Sequence, residues 1–245
     1  MTAPGGPGGV RPPHAVLFDF HGTVAQVEEP VRWVTLAAKA CGADLAPARA
    51  TALADRLVTA GRAGGPLPAR IPPQLAELWA NRDLYEYAHR EAFTGLAATV
   101  DTGVPGLPEA LYERLLIPDG WLLYPEARAT MAALAAAGIL VGVVSNIGFD
   151  IRPITAALGI DGYVDAYALS YEVGRTKPDP GIFLYACRAL AVDPARTLMV
   201  GDTPTDAAAV HAGCTAYVVP AAPAGHANGI GAVLRLAGCP PVAVD

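Results

Sequence analysis

Residues 16–23 read Val16-Leu17-Phe18-Asp19-Phe20-His21-Gly22-Thr23. This stretch places a carboxylate, Asp19, directly after an apolar run with the composition of a buried strand. A buried and unpaired carboxylate is costly, so Asp19 needs a metal ion, a cation or several N–H donors as its partner. In a parallel α/β sheet, a strand end followed by glycine is also where the active-site crevice opens. The stretch therefore predicts a nucleophile or a metal ligand at Asp19.

The bulk composition fits a globular protein of one large or two small domains. The chain has 245 residues, of which 53% are hydrophobic and 16% are charged, and such a chain can bury a core. Its formal net charge of −6 argues against a nucleic-acid partner, which usually meets a basic face. No apolar segment is long and unbroken enough to span a bilayer, so we expect no membrane partner. An anionic substrate remains compatible, because the local field at a site matters more than net charge.

The cysteines and the first residues indicate a cytoplasmic protein. Four cysteines lie far apart in the sequence, at Cys41, Cys187, Cys214 and Cys239. Their spacing forms no C-x-x-C pair, which argues against a structural zinc site, and we interpret them as free thiols in a reducing compartment. Residues 1–13 are rich in Gly and Pro and lack an apolar signal core. We therefore expect a flexible leader and no secretion signal.

Apolar periodicity along the chain predicts an α/β fold with an all-helical insertion. Helical patterns cover three early stretches, 30–60, 74–96 and 108–116. From about residue 121 onward, apolar strands alternate with helices over short connections, which is typical of a parallel, doubly wound sheet. We predict a Rossmann-like core over 14–24 and 121–245, and a helical cap domain over 25–120.

Four polar clusters follow predicted strands. They are residues 19–23, Ser145-Asn146, Lys177-Pro178 and Gly201-Asp202-Thr203-Pro204-Thr205-Asp206. Because the carboxyl ends of parallel strands meet at one edge of a sheet, we expect these clusters to line one crevice. Together they offer carboxylates, a small hydroxyl and a lysine, a set that suits phosphoryl transfer. Carboxylates hold Mg²⁺, the cations neutralise the phosphate, and an aspartate can form an acyl-phosphate intermediate.

These motifs, in this order, resemble those of the haloacid dehalogenase superfamily of phosphatases and related hydrolases. The resemblance covers about 14–24 and 121–237, and the helical stretch between them looks like the cap of subfamily I members. It implies that Asp19 is the nucleophile and a metal ligand, and that Lys177 is a charge-neutralising cation. It further implies Mg²⁺ ligation by the backbone carbonyl of His21 and by Asp202 and Asp206, and phosphoryl binding by Ser145 and the Asn146 amide. Thr23 is expected to support the loop and to contact the phosphate.

His21 departs from the family pattern. Phosphatases of the superfamily generally have Asp at this position, members that cleave carbon–halogen bonds have Tyr, and phosphonate-cleaving members have Ala. A histidine titrates near pH ~6.5 and can give and take a proton, so we assign His21 the acid–base role. Because the imidazole is longer than a carboxymethyl group, a poorly placed ring would slow the enzyme or stall it as an aspartyl-phosphate.

The sequence thus predicts a Mg²⁺-dependent hydrolase of a small phosphorylated metabolite, a phosphomonoester, with an aspartyl-phosphate intermediate. Two alternatives stay open: a catalytically degenerate relative that binds a ligand or a partner protein, and another Asp-nucleophile hydrolase that cleaves a carbon–halogen or ester bond. The identity of the substrate and the oligomeric state are left open. Four residues of the predicted cap are candidate substrate contacts, although a helical stripe is more often core: Trp79, Arg82, Asp83 and His89.

Overall fold

A computed structural model describes residues 12–223 and 225–241. The strands are β1 (Ala15–Phe18), β2 (Ala25–Val27), β3 (Trp121–Leu123), β4 (Leu140–Ser145), β5 (Ala166–Leu169), β6 (Thr197–Gly201) and β7 (Thr215–Val218). The α-helices are α1 (Pro30–Ala40), α2 (Pro47–Ala60), α3 (Ala76–Asn81), α4 (Glu86–Ala98), α5 (Leu107–Leu116), α6 (Ala127–Ala136), α7 (Arg152–Ala157), α8 (Ser170–Val173), α9 (Pro180–Ala189), α10 (Pro204–Ala207) and α11 (Val233–Leu236). The leader expected over 1–13 lies outside the described residues except for its last two.

Five parallel strands form the central sheet, in the order β5-β4-β1-β6-β7. β1 occupies the middle, where Phe18 is opposite Val143 of β4 and Val200 of β6. All of its residues are buried, as its apolar composition predicts. Because all five strands run in the same direction, their carboxyl ends share one edge. The predicted α/β fold with a parallel sheet is confirmed.

Helices cover both faces of this sheet. Successive side chains of a strand point to opposite faces, so β1 contributes to two hydrophobic clusters. Val16 and Phe18 pack on the side of α6, together with Met131. Leu17 packs on the other side, against Phe183 of α9. Both faces of the sheet are therefore buried, which explains why β1 is an apolar run without alternation.

Five helices, α1 to α5, lie between β2 and β3. We call this segment, residues 28–120, the insert. β2 and β3 pair antiparallel where the chain enters and leaves the insert, with Val27 opposite Trp121. The sequence analysis missed this pair because each strand has only three residues. The insert has an apolar cluster of its own, which includes Trp33, Leu53 and Leu107.

The single helix expected over 74–96 is wrong. α3 ends at Asn81 and α4 begins at Glu86, because the backbone of Tyr85 is extended (φ −138°, ψ 131°). The hydroxyl of Ser170 donates a hydrogen bond to the carbonyl of Asp83 within this break, so a tertiary contact overrides a helical pattern. Across the described ranges, every helix is too short or too polar to cross a membrane.

Candidate active site

Lys177 joins two aspartates that follow different strands. Its Nζ donates to Oδ1 of Asp19 and to Oδ1 of Asp206, each at 2.6 Å, and to the carbonyl oxygen of Val144 at 3.1 Å. These bonds use all three ammonium protons. Lys177 is 5% exposed and Asp206 is 1% exposed, so the ion pairs are screened little by water. The edge of the sheet therefore brings three of the four predicted clusters together.

The side chain of Asn146 holds the backbone of Lys177. Its Oδ1 accepts from the amide nitrogen of Lys177 at 2.7 Å, and its Nδ2 donates to the carbonyl oxygen of Lys177 at 2.9 Å. Oδ1 and one Nδ2 proton are thus committed to one residue, which leaves the backbone amide and the second Nδ2 proton of Asn146 as donors. Ser145, the last residue of β4, is buried beside it.

Asp202 approaches the loop that follows β1. The Thr23 hydroxyl donates to its Oδ1 at 3.3 Å. A Cβ at Gly22 would lie 2.4 Å from Oδ2 of Asp202, and Gly22 has a φ of +87°, which L side chains rarely adopt. Asn228, buried near the end of the chain, donates to the carbonyl oxygen of Thr23 at 2.9 Å. The sequence analysis missed Asn228, since nothing in its local sequence marks it.

Asp206 is oriented by the start of α10. Its Oδ2 accepts from the amide nitrogen of Thr203 at 3.0 Å and from the Thr203 hydroxyl at 2.5 Å. The two residues form a capping box, a motif that orients both side chains. Its side chain packs on Gly201, where a Cβ would lie 2.2 Å from the Cβ of Asp206. The Thr-x-x-Asp spacing is the signal that would have identified Thr203 in the sequence.

Burial and neighbouring charges shift the pKa values of the carboxylates and the lysine in this site. Burial raises the pKa of Asp19 to about 7; Lys177 lowers it again in part, and Asp206 adds to the rise. Burial also raises the pKa of Asp202, and Asp206 contributes. Burial by itself would lower the pKa of Lys177, but the two carboxylates outweigh burial and raise it. Three aspartates and one lysine thus leave an excess of negative charge at this edge.

The three aspartates form a candidate cation site. Oxygen atoms of Asp19, Asp202 and Asp206 all lie within 4.8 Å of one another. Carboxylate oxygens suit a hard divalent cation such as Mg²⁺, and two positive charges would balance the excess that one lysine leaves. Asp206 already gives both oxygens to Lys177 and Thr203, so Asp19 and Asp202 have more oxygens free for a metal. The residues present therefore fit a divalent cation.

His21 packs against the insert. Its ring meets Trp121 edge-on, with ring centroids 5.9 Å apart, and a Cβ at Gly64 would lie 2.5 Å from its Nε2. That Nε2 is buried and lacks a hydrogen-bond partner among the described residues. Burial lowers the pKa of His21 to about 4; the side chain of Gln26 opposes this fall, and the charges of Arg62 and Lys177 add to it. The pKa of this half-buried histidine therefore lies below the ordinary value near ~6.5.

The insert docks tightly on the core next to this site. A Cβ at Gly148 would lie 2.4 Å from the Cβ of His89 and 2.5 Å from the carbonyl oxygen of Arg82. The His89 ring also lies 5.3 Å from the ring of Phe149, and its Nδ1 is 2.8 Å from the hydroxyl of Tyr112. His89 therefore serves the contact between insert and core, while its candidate role toward substrate stays a prediction.

Comparison with known proteins identifies the family. The family described as haloacid dehalogenase-like hydrolase matches residues 13–213, most of the chain. The chain therefore belongs to the haloacid dehalogenase-like hydrolases, as its motifs indicated.

Several curated relatives are phosphatases. A phosphoglycolate phosphatase of Nitrosospira multiformis is 29% identical over 184 residues, which cover 72% of this chain and 78% of that relative. A phosphoglycolate phosphatase of Haemophilus influenzae is 33% identical over 94 residues, which cover 38% of this chain and only 42% of that relative. The chain thus matches about two-fifths of the length of the second relative.

Solved structures share the fold. A HAD phosphatase from Thermococcus onnurineus has a TM-score of 0.57 at 22% identity, covering 93% of this chain and 99% of its own. A dehalogenase with an intermediate complex has a TM-score of 0.63 at 23% identity, covering 93% and 98%. One fold therefore carries both a phosphatase and a dehalogenase, so the activity has to be argued from the site.

Proposed function

We propose that the protein is a Mg²⁺-dependent phosphomonoesterase that acts on a small phosphorylated metabolite through an aspartyl-phosphate. One observation carries this proposal. Lys177 binds Oδ1 of Asp19 at 2.6 Å, whereas Oδ2 of Asp19 has no hydrogen bond to any residue in the described ranges. The hydrogen bond from Lys177 to Oδ1 orients the carboxylate of Asp19. Its other oxygen, Oδ2, is available to attack the phosphorus. A cytoplasmic location, as the sequence predicts, is part of the proposal.

The proposed first step is an in-line attack of Asp19 on the phosphorus. An O–P bond forms as the ester P–O bond breaks, and the leaving oxygen takes up a proton. Ser145 and the backbone amide of Asn146 bind the phosphoryl oxygens, and Lys177 neutralises part of their charge. Mg²⁺, when bound by Asp19, Asp202, the His21 carbonyl and, directly or through water, Asp206, would supply further electrostatic stabilisation of the phosphoryl group.

The proposed second step is hydrolysis of the aspartyl-phosphate. Water attacks the phosphorus, the O–P bond to Asp19 breaks, and the water proton passes to a base. We assign His21 the proton transfers of both steps, which contribute about 10²–10⁴-fold when the group is well placed. Inorganic phosphate then leaves, and the carboxylate of Asp19 is restored.

Asp19→Asn tests the proposal directly. Turnover of a panel of phosphomonoesters is measured with and without Mg²⁺, and we expect the variant to lose at least about 10³-fold, because an amide is a poor nucleophile. Acid-quenched mass spectrometry of wild type should find phosphate on the peptide that contains Asp19. Asp55→Asn, on the exposed side of α2, is the control and should keep full activity. Equal turnover by wild type and Asp19→Asn would exclude the mechanism.

A second candidate function is a binding protein without turnover. The observation that favours it is the position of His21, whose ring lies against Gly64 and Trp121 and has no described contact with Asp19. His21→Asp and His21→Gln separate the two. If His21 transfers protons, His21→Gln should lower turnover by about 10²-fold. If wild type is inactive and His21→Asp creates a phosphatase, the natural histidine disables the site.

A further inference from the structure

Asn228 is a buried polar residue in the segment that follows β7. Only 1% of it is exposed, and both ends of its side-chain amide bind backbone groups. Its Nδ2 donates to the carbonyl oxygen of Thr23 at 2.9 Å and, at a longer 3.5 Å, to that of Gly22. Its Oδ1 accepts from the amide nitrogen of Ile230 at 3.2 Å. Asn228 therefore ties a late segment of the chain to the loop that follows β1, 205 positions earlier.

The bonds from Asn228 add to those within the loop. The amide nitrogen of Gly22 donates to the carbonyl oxygen of Ala25 at 2.9 Å, a local bond that helps to close the turn. That bond uses an N–H group of the loop, whereas Asn228 supplies a donor to its carbonyl groups. Thr23 is completely buried, and a buried carbonyl group that loses its donor is costly. Loss of the Asn228 amide should therefore shift or loosen the backbone of Gly22 and Thr23.

The same two loop residues contact the carboxylate of Asp202. The Thr23 hydroxyl donates to its Oδ1 at 3.3 Å. Gly22 packs so closely that a Cβ built on it would lie 2.4 Å from Oδ2. Both oxygens of Asp202 thus face the loop that Asn228 holds, whereas Asp206 is oriented by the capping box of its own helix. The position of the Asp202 carboxylate therefore depends on a residue from a distant part of the chain.

We propose that Asn228 is a positioning residue of the cation site, which acts through Thr23 on Asp202. The inference rests on the proposed function, in which Asp202 binds Mg²⁺. This cation demands near-ideal octahedral geometry, so its affinity falls when a ligand is displaced or mobile. Groups that orient metal ligands typically contribute about 10- to 100-fold to metal affinity. We therefore assign Asn228 a contribution of that size to the binding of Mg²⁺.

Magnesium binding tests the role of Asn228. Calorimetric titration with MgCl₂ gives the Kd of wild type, Asn228→Ala and Ile230→Val. We expect Asn228→Ala to raise the Kd by about 10- to 100-fold, because Thr23 and Asp202 lose their fixed positions. Ile230→Val is the matched control, since Ile230 is a buried apolar residue two positions away. Its shortening lowers stability but leaves the side chain of Asn228 in place, so its Kd should stay close to that of wild type.

A double-mutant cycle tests the route through Thr23. Thr23→Val keeps the shape of the side chain and removes the hydroxyl that binds Asp202. If Asn228 acts through Thr23, the two changes are not independent. The double variant should then bind Mg²⁺ about as weakly as the weaker of the two single variants. Effects on the Kd that multiply would indicate two separate routes and would overturn the proposal.

A purely structural role of Asn228 predicts a different pattern of turnover. A variant that only unfolds more easily contains less active protein, so its maximal turnover falls while the Mg²⁺ concentration for half-maximal turnover is unchanged. Displacement of Asp202 instead raises that concentration by at least about tenfold, and excess Mg²⁺ restores much of the turnover. Thermal unfolding identifies a variant that does not fold. Asn228→Ser, whose shorter side chain can still bind the amide of Ile230, then carries the comparison.

Direct binding of Mg²⁺ separates this inference from the proposed function. If wild type hydrolyses no phosphomonoester, calorimetric titration with MgCl₂ still measures the cation site. Weaker binding by Asn228→Ala, with binding by Ile230→Val unchanged, supports the positioning role even when the phosphatase proposal fails. Equal Mg²⁺ affinity of wild type and Asn228→Ala overturns it, and so does a wild type that binds no Mg²⁺.

Discussion

The ammonium of Lys177 lies 2.6 Å from Oδ1 of Asp19, although the two residues are 158 positions apart in sequence. Asp19 directly follows β1. Asn146 directly follows β4, and its side chain holds the backbone of Lys177. Because β1 and β4 are neighbours in the sheet, their carboxyl ends lie side by side. This brings the carboxylate of Asp19 close to the ammonium of Lys177. Lys177 is therefore the cation that balances the buried carboxylates of the site.

Removing that ammonium should destabilise the protein as well as inactivate it. Lys177→Met leaves Asp19 and Asp206 buried and close together without their cation. We expect a loss of about 3–5 kcal/mol in the free energy of unfolding, typical of a broken buried ion pair. Urea denaturation at neutral pH measures this loss. Arg175→Gln is the control: Arg175 pairs with Asp179 on the exposed surface and should change stability by no more than about 0.5 kcal/mol.

An unchanged urea midpoint in Lys177→Met would mean that the two carboxylates are not ionised together at that pH. Millimolar Mg²⁺ should restore part of the stability of this variant, since a divalent cation supplies the missing positive charge. An equal gain for Arg175→Gln and Lys177→Met would show that the metal acts elsewhere.

Gly22→Ala should damage the cation site, whereas Gly42→Ala should not. Both glycines have positive φ angles, +87° and +76°, so both variants lose about 1–2 kcal/mol of stability. Only at Gly22 would the new Cβ meet another group, Oδ2 of Asp202 at 2.4 Å. We therefore expect Mg²⁺ titration and turnover to be impaired in Gly22→Ala alone. Equal Mg²⁺ affinity in the two variants would contradict the placement of Asp202.

Gly148→Ala should separate docking of the insert from the stability of the core. The added Cβ would lie 2.4 Å from the Cβ of His89 and 2.5 Å from a backbone oxygen of Arg82, so the insert has to move. We expect turnover to fall by at least about tenfold, because small displacements near a site are costly. Limited proteolysis should also cut the insert faster. Gly162→Ala, with nothing within 4 Å of its Cβ, should behave as wild type in both assays.

His89 should make the protein less stable in acid. Burial, followed by the charge of Arg82, lowers its pKa to about 3 in the folded protein, whereas an unfolded chain protonates it near ~6.5. The unfolded state therefore binds more protons between these values, and stability is lost as the pH falls from about 6.5 toward 3. The slope from this residue reaches about 1.4 kcal/mol per pH unit.

His89→Gln removes this titration while keeping a polar partner for Tyr112. Its free energy of unfolding should fall less steeply than that of wild type between about pH 6 and 4. Gln74→Ala, an exposed change that removes no titratable group, should leave the slope unchanged. Parallel curves for wild type and His89→Gln would show that His89 can be protonated in the folded protein.

Much of the fold, and the meeting of polar clusters at one edge of the sheet, could be predicted from the sequence. The apolar run before Asp19 and the alternation of strands and helices after residue 121 are local patterns, and a local pattern decides the type of an element. The polar clusters at strand ends follow from the same logic, because parallel strands place their carboxyl ends together. The short β2–β3 pair and the break between α3 and α4 were missed, since tertiary contacts decide them.

What only the tertiary structure decided is the environment of each side chain. Burial of His21 against Gly64 and Trp121 lowers its pKa to about 4, and no sequence pattern shows those contacts. Arg62 follows a helix in a Gly/Pro-rich linker, where a solvated arginine would be ordinary. Folding instead buries most of Arg62 and places its guanidinium over the ring of Trp33, while Arg114 and Arg32 bind the nearby Glu28. Residue types and spacing determine which groups meet, whereas packing determines how far each charged or titratable group is removed from water.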